Sequence, residues 1–404
     1  MMKKRSPFSI FAGFTLAVLG GMIFNLGGIF AGRSALLLKD LEIYLSWVFL
    51  IYPLLLTVRG DIEGILSGKL GTAIHLGSIK PTWKKNNSRF YELSGLVFFL
   101  SVYDGFIVSI SATVISMFLG LSANFFQILI ISITTFSLTA TISMILTYTL
   151  TFWIFNRKGD PDVYVYPIMS AVNDILITIM FFSICILYRP WNSNLYLFLG
   201  IPVLVVIAGI IVFYFIRFGS VDYVKSSLKQ ALPIITLTTL IASGTGTILA
   251  SLHELIEEFP VFLIIYPAMI STVGGQGSIL ANTTTTKLHL GTIKPAFSFL
   301  KSSEFISPFG GILLVGIMLN LIYSVVGTLI SPEGISLYLY GIILTILLLS
   351  NIMGFLVIGM LASFAAFITF RIGLDPDNFV NPILSSGSDL ITTALLSLSF
   401  IIFF

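Results

Sequence analysis

The chain alternates between long apolar stretches and short polar segments. A helix needs about 20 apolar residues to cross the hydrocarbon layer of a membrane, and eleven stretches approach or exceed that length. They lie at 8–31, 41–59, 92–120, 125–155, 164–187, 195–217, 229–252, 257–273, 305–330, 336–370 and 380–403. The pattern predicts an all-α polytopic membrane protein with about eleven transmembrane helices.

Polar residues recur at a fixed distance within this pattern. The repeated elements, 214 residues apart, are Tyr52-Pro53, Gly60 and 75–81 in the first half and Tyr266-Pro267, Gly274 and 289–295 in the second. A further set that ends at Asp174 and Asp389 recurs 215 residues apart. Apolar residues exchange freely within membrane helices, so a duplicated polar pattern indicates an internal duplication and a site shared by the two halves.

The duplication divides the chain into two repeats of five helices. We expect the first repeat at 1–190, a linking transmembrane helix at 191–220 and the second repeat at 221–404. Six crossings, an even number, separate equivalent helices, so both repeats point the same way about a pseudo-two-fold axis along the membrane normal.

Basic residues fix the expected orientation. Eighteen of them, Arg59 included, fall in segments assigned to the cytoplasmic side, against three on the other side. Such a bias marks the cytoplasmic face. We expect a multi-pass protein of the cell membrane, with a cytoplasmic N-terminus and an extracytoplasmic C-terminus.

The composition excludes a soluble domain and narrows the partners. Hydrophobic residues make up 56% of the chain and charged residues 10%, so the lipid bilayer is the expected surrounding. The net charge of +3 belongs to the loops and gives no indication of nucleic-acid binding. A single cysteine, Cys185, leaves no internal disulfide.

The last helix of each repeat carries an acidic residue inside an apolar stretch. The matching residues, spaced four apart on one helix face, are Ser170, Asp174 and Thr178 in the first repeat and Ser385, Asp389 and Thr393 in the second. At ~1.5 Å of rise per residue, each aspartate is expected near the midplane of the membrane. We expect no Lys or Arg at that depth, so each carboxylate needs water, a cation or a hydrogen-bonded neighbour.

A bound cation explains a duplicated aspartate better than a protonated, hydrogen-bonded carboxyl group does. Two carboxylates that face one axis repel each other unless a cation lies between them. Hydroxyl and carbonyl oxygens without soft ligands suit Mg²⁺, Ca²⁺ or Mn²⁺. Because Mg²⁺ gives up its water reluctantly, we expect a wide site that holds a partly hydrated ion.

Two further segments supply candidate ligands. Asp160-Pro161-Asp162 and Asp375-Pro376-Asp377 precede the last helices; they either cap those helices or form an inner cation site. The second helix of each repeat contains Pro and Gly close together, which predicts an interrupted helix that lines a water-filled path. The candidate metal ligands are Asp174, Asp389, Ser170, Ser385, Asp160, Asp162, Asp375, Asp377, Asp61, Glu63 and Gln276.

Two of these segments resemble a known family. Gly60-Asp61-Ile62-Glu63 and 66–73 resemble the Gly-Asn-Leu-Glu and Ala-Ser-Arg-Leu-Ser-Thr-Ala segment of the MgtE-related solute carriers. Residues 375–378, Pro382 and 389–392 resemble their Asp-Pro-Asp-Asn and Gly-Asp-Leu-Ile-Thr segment. The chain departs from the family where Asp61 and Gly275 replace Asn and where Ser388 replaces Gly.

The resemblance implies transport of divalent cations, chiefly Mg²⁺, with Mn²⁺, Co²⁺ or Ca²⁺ as alternatives. It also implies that Asp174 and Asp389 correspond to the aspartate at the centre of the family's pore. The solute-carrier branch fuses in one chain two units that bacterial members bring together as a homodimer, so the chain is expected to act as a monomer. Because the resemblance implies transport, the chain is not expected to be an enzyme.

Whether transport is passive or coupled stays open. The chain is either a passive pathway or an exchanger coupled to Na⁺ or H⁺. Asp104, another acidic residue in an apolar stretch, either binds the coupling ion or donates a buried hydrogen bond. Tyr103-Asp104 and Gly387-Ser388-Asp389 loosely resemble the motifs of intramembrane aspartyl proteases, but a two-aspartate protease has no use for Asp174.

Overall fold

A computed structural model describes residues 7–159, 161–188, 195–289, 293, 299, 302–330, 334, 336–372 and 376–403. Within these residues all regular secondary structure is helical. The α-helices are α1 (Pro7–Met22), α2 (Gly27–Ala35), α3 (Lys39–Glu42), α4 (Val48–His75), α5 (Ser88–Leu119), α6 (Phe125–Asn156), α7 (Pro161–Leu187), α8 (Leu195–Phe218), α9 (Asp222–Ser251), α10 (His253–Glu258), α11 (Val261–His289), α12 (Ser303–Ile330), α13 (Leu337–Ile372) and α14 (Pro376–Phe403).

Ten helical segments in the described part of the chain are long and apolar enough to cross a membrane. The long helix α4 is not among them, because Arg59, Asp61 and Glu63 lie in its central part. Its 28 residues are nevertheless long enough to cross. The prediction of an all-α polytopic membrane protein is confirmed; the domain boundaries near 190 and 220 stay a prediction.

The helices α4 and α11 are continuous, so the prediction of an interrupted second helix is wrong. Pro53 and Gly60 lie inside α4, and Pro267 and Gly274 lie inside α11. A proline removes one backbone hydrogen bond and a glycine adds flexibility. Both are tolerated here because neighbouring helices cover these segments almost completely.

The first helix of each repeat packs against the second helix of the other repeat. Gly32 of α2 lies against the backbone carbonyl of Ile264 in α11, and Gly246 of α9 lies against the backbone carbonyl of Leu50 in α4. Both pairs obey the 214-residue offset. Glycine allows such close backbone approach between membrane helices, so the duplication extends to the first helices.

Four helices surround the centre of the molecule. The helices α4, α7, α11 and α14 form a ring in which each contacts its two neighbours. Helix α8, the predicted linking helix, lies at the periphery, where few of its residues are buried. The ring therefore brings the second and last helices of both repeats to one interface.

Candidate functional site

Matching hydrogen bonds fix the register of the ring helices. The hydroxyl of Tyr52 lies 3.2 Å from that of Thr178, and the hydroxyl of Tyr266 lies 3.0 Å from that of Thr393. Each threonine also donates to the backbone carbonyl of the aspartate four residues before it. The second helix of each repeat is thereby held against its own last helix in the same way.

Both aspartates lie midway along their helices and point into the protein. Asp174 is fully buried in α7, and Asp389 is 6% exposed in α14. A buried carboxylate is costly unless charge or hydrogen bonds compensate it. The two residues differ in how that compensation is made.

Asp174 is paired with an arginine. Nη2 of Arg59 donates to Oδ1 of Asp174, and Nη1 donates to the backbone carbonyl of Ser170 at 2.9 Å. The hydroxyl of Ser271, from α11 of the other repeat, donates to Oδ2 at 2.5 Å. The assignment of Arg59 to a cytoplasmic loop, and the expectation of no basic residue at this depth, are therefore wrong.

Asp389 has no such partner from its own repeat. The position equivalent to Arg59 is Val273, which packs in an apolar cluster. Thr57, the counterpart of Ser271, lies beside Asp389 and interacts with its carboxyl group. Asp389 interacts electrostatically with both Asp174 and Arg59. A single arginine therefore interacts with two carboxyl groups that come from different repeats.

A small cavity between the repeats, the central cavity, is lined by Arg59 and Asp389. Its polar lining consists of Arg59, Tyr166, Ser170, Ser271, Ser385 and Asp389. Its volume is about 20 Å³, which is room for about one water molecule. The expectation of a wide site is wrong for this conformation, because the guanidinium of Arg59 takes up space beside the carboxylates.

Asp61 of α4 lies near Asp389 of α14. Its carboxylate accepts hydrogen bonds from the hydroxyl of Ser386 at 3.1 and 3.3 Å and interacts electrostatically with Asp389. A Cβ on Gly60 would meet the hydroxyl of Ser385 at 2.7 Å, which shows how closely α4 and α14 approach. The structure thus places Asp61 close enough to Asp389 for the two carboxyl groups to interact.

Glu63 belongs to a second cavity, which lies inside the first repeat. The polar lining of this first-repeat cavity consists of Arg59, Glu63, Ser101, Thr139, Ser143 and Asn173. Glu63 accepts hydrogen bonds from Ser143 at 3.1 Å, from Thr147 at 3.2 Å and from the amide of Asn173 at 3.1 Å. The structure therefore places Glu63 in a different cavity from Asp389, and Arg59 lines both cavities.

Gln276 and Asp104 lie away from the central cavity. The side chain of Gln276 bridges α12 and α13: it donates to the carbonyl of Ile312 at 3.1 Å and accepts from Asn351 at 2.9 Å. Asp104 is fully buried in α5 and accepts a hydrogen bond from Thr239 of α9 at 3.4 Å. It also interacts electrostatically with Asp61.

The acidic side chains of the motifs before the last helices lie outside the described part of the chain. Asp160 and Asp375 lie outside the described residues. Asp162 and Asp377 belong to the first turns of α7 and α14, but their side chains also lie outside the described part. The choice between helix caps and an inner cation site stays a prediction.

Arg59 is a residue of the candidate site that the sequence analysis assigned to a loop, although the sequence contains a signal for its position. Tyr52, Arg59 and Glu63 follow one another at spacings of seven and four residues, which places them on one face of a helix. That face is the one that contacts α7. A continuous helix through Gly60 would have turned Arg59 toward Asp174.

In the described residues no three acidic, histidine or cysteine side chains form a metal cluster by themselves. A cation in the central cavity must therefore take hydroxyl, carbonyl or water oxygens as well as Asp389, and Mg²⁺ characteristically keeps several waters. The fold and this interface define a polytopic membrane protein with an oxygen-lined polar site between two repeats.

The comparison with protein families identifies the class more closely. A model of the MgtE family, described as divalent cation transporters, matches residues 52–184 and 266–399. The two matched segments together cover more than half of the chain, and their starts differ by the same 214 residues as the polar repeat. The chain belongs to the MgtE family and is a two-repeat member of it. Neither the comparison with curated proteins nor that with solved structures gave a match.

Proposed function

We propose that this protein carries Mg²⁺ across the cell membrane through the interface between its two repeats. The observation that carries the proposal is the meeting of Asp389, Asp61 and several serine hydroxyls beside a cavity in that interface. Hard oxygen ligands of this kind suit Mg²⁺. Membership in a family of divalent cation transporters supports the same conclusion.

Asp389 is proposed as the principal ligand, because it lines the central cavity and has no basic partner from its own repeat. Asp61 adds negative charge next to it. Ser170 and Ser385, equivalent residues of the two repeats, supply oxygens from opposite helices of the ring. Asp174 joins the ion only when its ion pair with Arg59 opens.

The orientation follows from the charge bias of the sequence. The N-terminus is cytoplasmic and the C-terminus extracytoplasmic, and both repeats point the same way about the axis of the central cavity. One chain contains both halves of the interface, so the functional unit is proposed to be a monomer.

The proposal is tested by Mg²⁺ flux into proteoliposomes that contain the purified protein. Asp389→Asn keeps the size of the side chain and removes its charge, so we expect flux to fall to the level of empty liposomes. Asp222→Asn, the same change at an exposed position in the first turn of α9, serves as the matched control and should leave flux unchanged. Flux of Asp389→Asn equal to that of the wild type would overturn the proposal.

A further inference from the structure

Arg59 lies at the boundary between two cavities. It lines the central cavity, which contains Asp389, and it also lines the first-repeat cavity, which contains Glu63. In the structure its guanidinium is bound to Asp174, while its Nε is buried without a hydrogen-bond partner. The two terminal nitrogens of Arg59 therefore have hydrogen-bond acceptors, whereas Nε has none.

The first-repeat cavity offers what a second position of this guanidinium requires. Glu63 supplies a carboxylate that already interacts electrostatically with Arg59. Oδ1 of Asn173 and the hydroxyl of Thr139 are buried in the cavity lining and have no hydrogen-bond partner. A guanidinium has five donors and no acceptor, so unpaired acceptors beside a carboxylate complement it.

The second repeat has no equivalent arrangement. The positions that match Arg59, Glu63, Ser143 and Thr147 are Val273, Gly277, Ile358 and Ala362. A Cβ on Gly277 would overlap the side chain of Ile358, so the corresponding space is closed by apolar packing. The arginine and its two carboxylates are a feature of the first repeat alone.

We propose that Arg59 is a resident counter-ion that an arriving divalent cation displaces from Asp174 toward Glu63. The inference rests on the proposed transport function and adds a residue that determines which ions bind. In the absence of the ion, Arg59 neutralises Asp174. When the ion binds between Asp389 and Asp174, the guanidinium moves to Glu63 and the unpaired acceptors of the first-repeat cavity.

This exchange discriminates between ions by charge. A monovalent ion brings no more charge than the guanidinium that it would replace, and the guanidinium also keeps a hydrogen bond to the carbonyl of Ser170. A divalent ion brings twice that charge to the same carboxylates. A divalent ion therefore displaces Arg59 from Asp174, whereas Na⁺ or K⁺ does not.

Binding of Mg²⁺ to the purified full-length protein tests the proposal, measured as the dependence of thermal unfolding on Mg²⁺ concentration. Arg59→Gln removes the competitor and should tighten Mg²⁺ binding by roughly 5- to 150-fold, the usual range of coupling between two sites. Glu63→Gln removes the receiving carboxylate and should weaken binding. In the Arg59→Gln background, Glu63→Gln should have no further effect.

Two additional variants make the result unambiguous. Arg217→Gln, at an exposed position in the last turn of α8, controls for loss of a positive charge and should leave Mg²⁺ binding unchanged. Arg59→Lys keeps the charge but loses the paired donors of the guanidinium. If Arg59→Gln does not fold, Arg59→Lys must still bind Mg²⁺ more tightly than the wild type.

The outcomes separate this inference from the transport proposal. Weaker Mg²⁺ binding in Arg59→Gln, or an effect of Glu63→Gln that is the same with and without Arg59, overturns the role of Arg59. If binding is nevertheless lost in Asp389→Asn, the transport proposal survives that result. Absence of Mg²⁺ binding in the wild type overturns both.

Discussion

Arg59 of α4 forms an ion pair with Asp174 of α7, midway along α7 and buried within the helix bundle. The equivalent contact in the second repeat would join Val273 to Asp389, where no ion pair can form. Two repeats that share their helices, hydrogen bonds and glycine contacts therefore differ in charge at their common interface.

The first prediction concerns stability. Asp174→Asn leaves the guanidinium of Arg59 buried without its carboxylate, which typically costs about 3–5 kcal/mol of folding free energy. Asp389→Asn leaves no such unpaired partner and should be much less destabilising. Thermal unfolding of the two purified variants in the absence of Mg²⁺ measures the difference. Equal unfolding temperatures would show that the pair does not stabilise the fold.

The second prediction concerns the contacts between the repeats. Gly246→Ala places a methyl group against the carbonyl of Leu50, and Gly32→Ala does the same against Ile264. Each change should lower stability by about 1–3 kcal/mol through overpacking. Gly209→Ala is the matched control, because a Cβ there meets no atom within 4 Å. Equal unfolding temperatures for Gly246→Ala, Gly32→Ala and Gly209→Ala would contradict the close approach of the helix backbones.

The positions of the apolar helices and the internal duplication could be predicted from the sequence, but the position of Arg59 inside the bundle could not. The eleven apolar stretches and the polar repeat could be read directly from the sequence, because lipid demands long apolar segments and polar residues within them are not exchanged freely. The stretch assigned to 41–59 ended at Arg59 because charges normally end a membrane helix. In the structure α4 continues to His75.

The site was only partly predictable for the same reason. Asp174 and Asp389 stand out in apolar stretches, and their spacing from Ser170 and Ser385 defines one helix face. Nothing in that local spacing indicates that an arginine from another helix reaches Asp174, because the contact joins residues 115 positions apart. That pairing also explains why the central cavity is narrower than the sequence led us to expect.

The third prediction concerns Asp61. Its carboxylate interacts with Asp389 but does not line the central cavity. Asp61→Asn should therefore raise the Mg²⁺ concentration for half-maximal flux by about tenfold, equivalent to ~1.4 kcal/mol of lost attraction, and change the maximal rate less. Flux into proteoliposomes over a range of Mg²⁺ concentrations measures both quantities. A loss of maximal rate alone would place Asp61 in another role.

The fourth prediction concerns competition by monovalent ions. In the wild type, Na⁺ at equal concentration inside and outside the liposomes should leave Mg²⁺ flux unchanged apart from general screening. In Arg59→Gln the two carboxylates lose their resident cation, so Na⁺ should compete and lower the flux. Choline at the same ionic strength is the comparison salt. Equal inhibition of wild type and variant by Na⁺ would contradict the account.

The path of the ion is tested most directly by placing a soft ligand in it. Ser385 lines the central cavity, whereas Leu398 of the same helix is 56% exposed on the outer surface. A thiolate binds soft metals tightly, so Cd²⁺ should block Mg²⁺ flux through Ser385→Cys and leave Leu398→Cys and the wild type unaffected. Undiminished flux through Ser385→Cys in the presence of Cd²⁺ would contradict a path between the repeats.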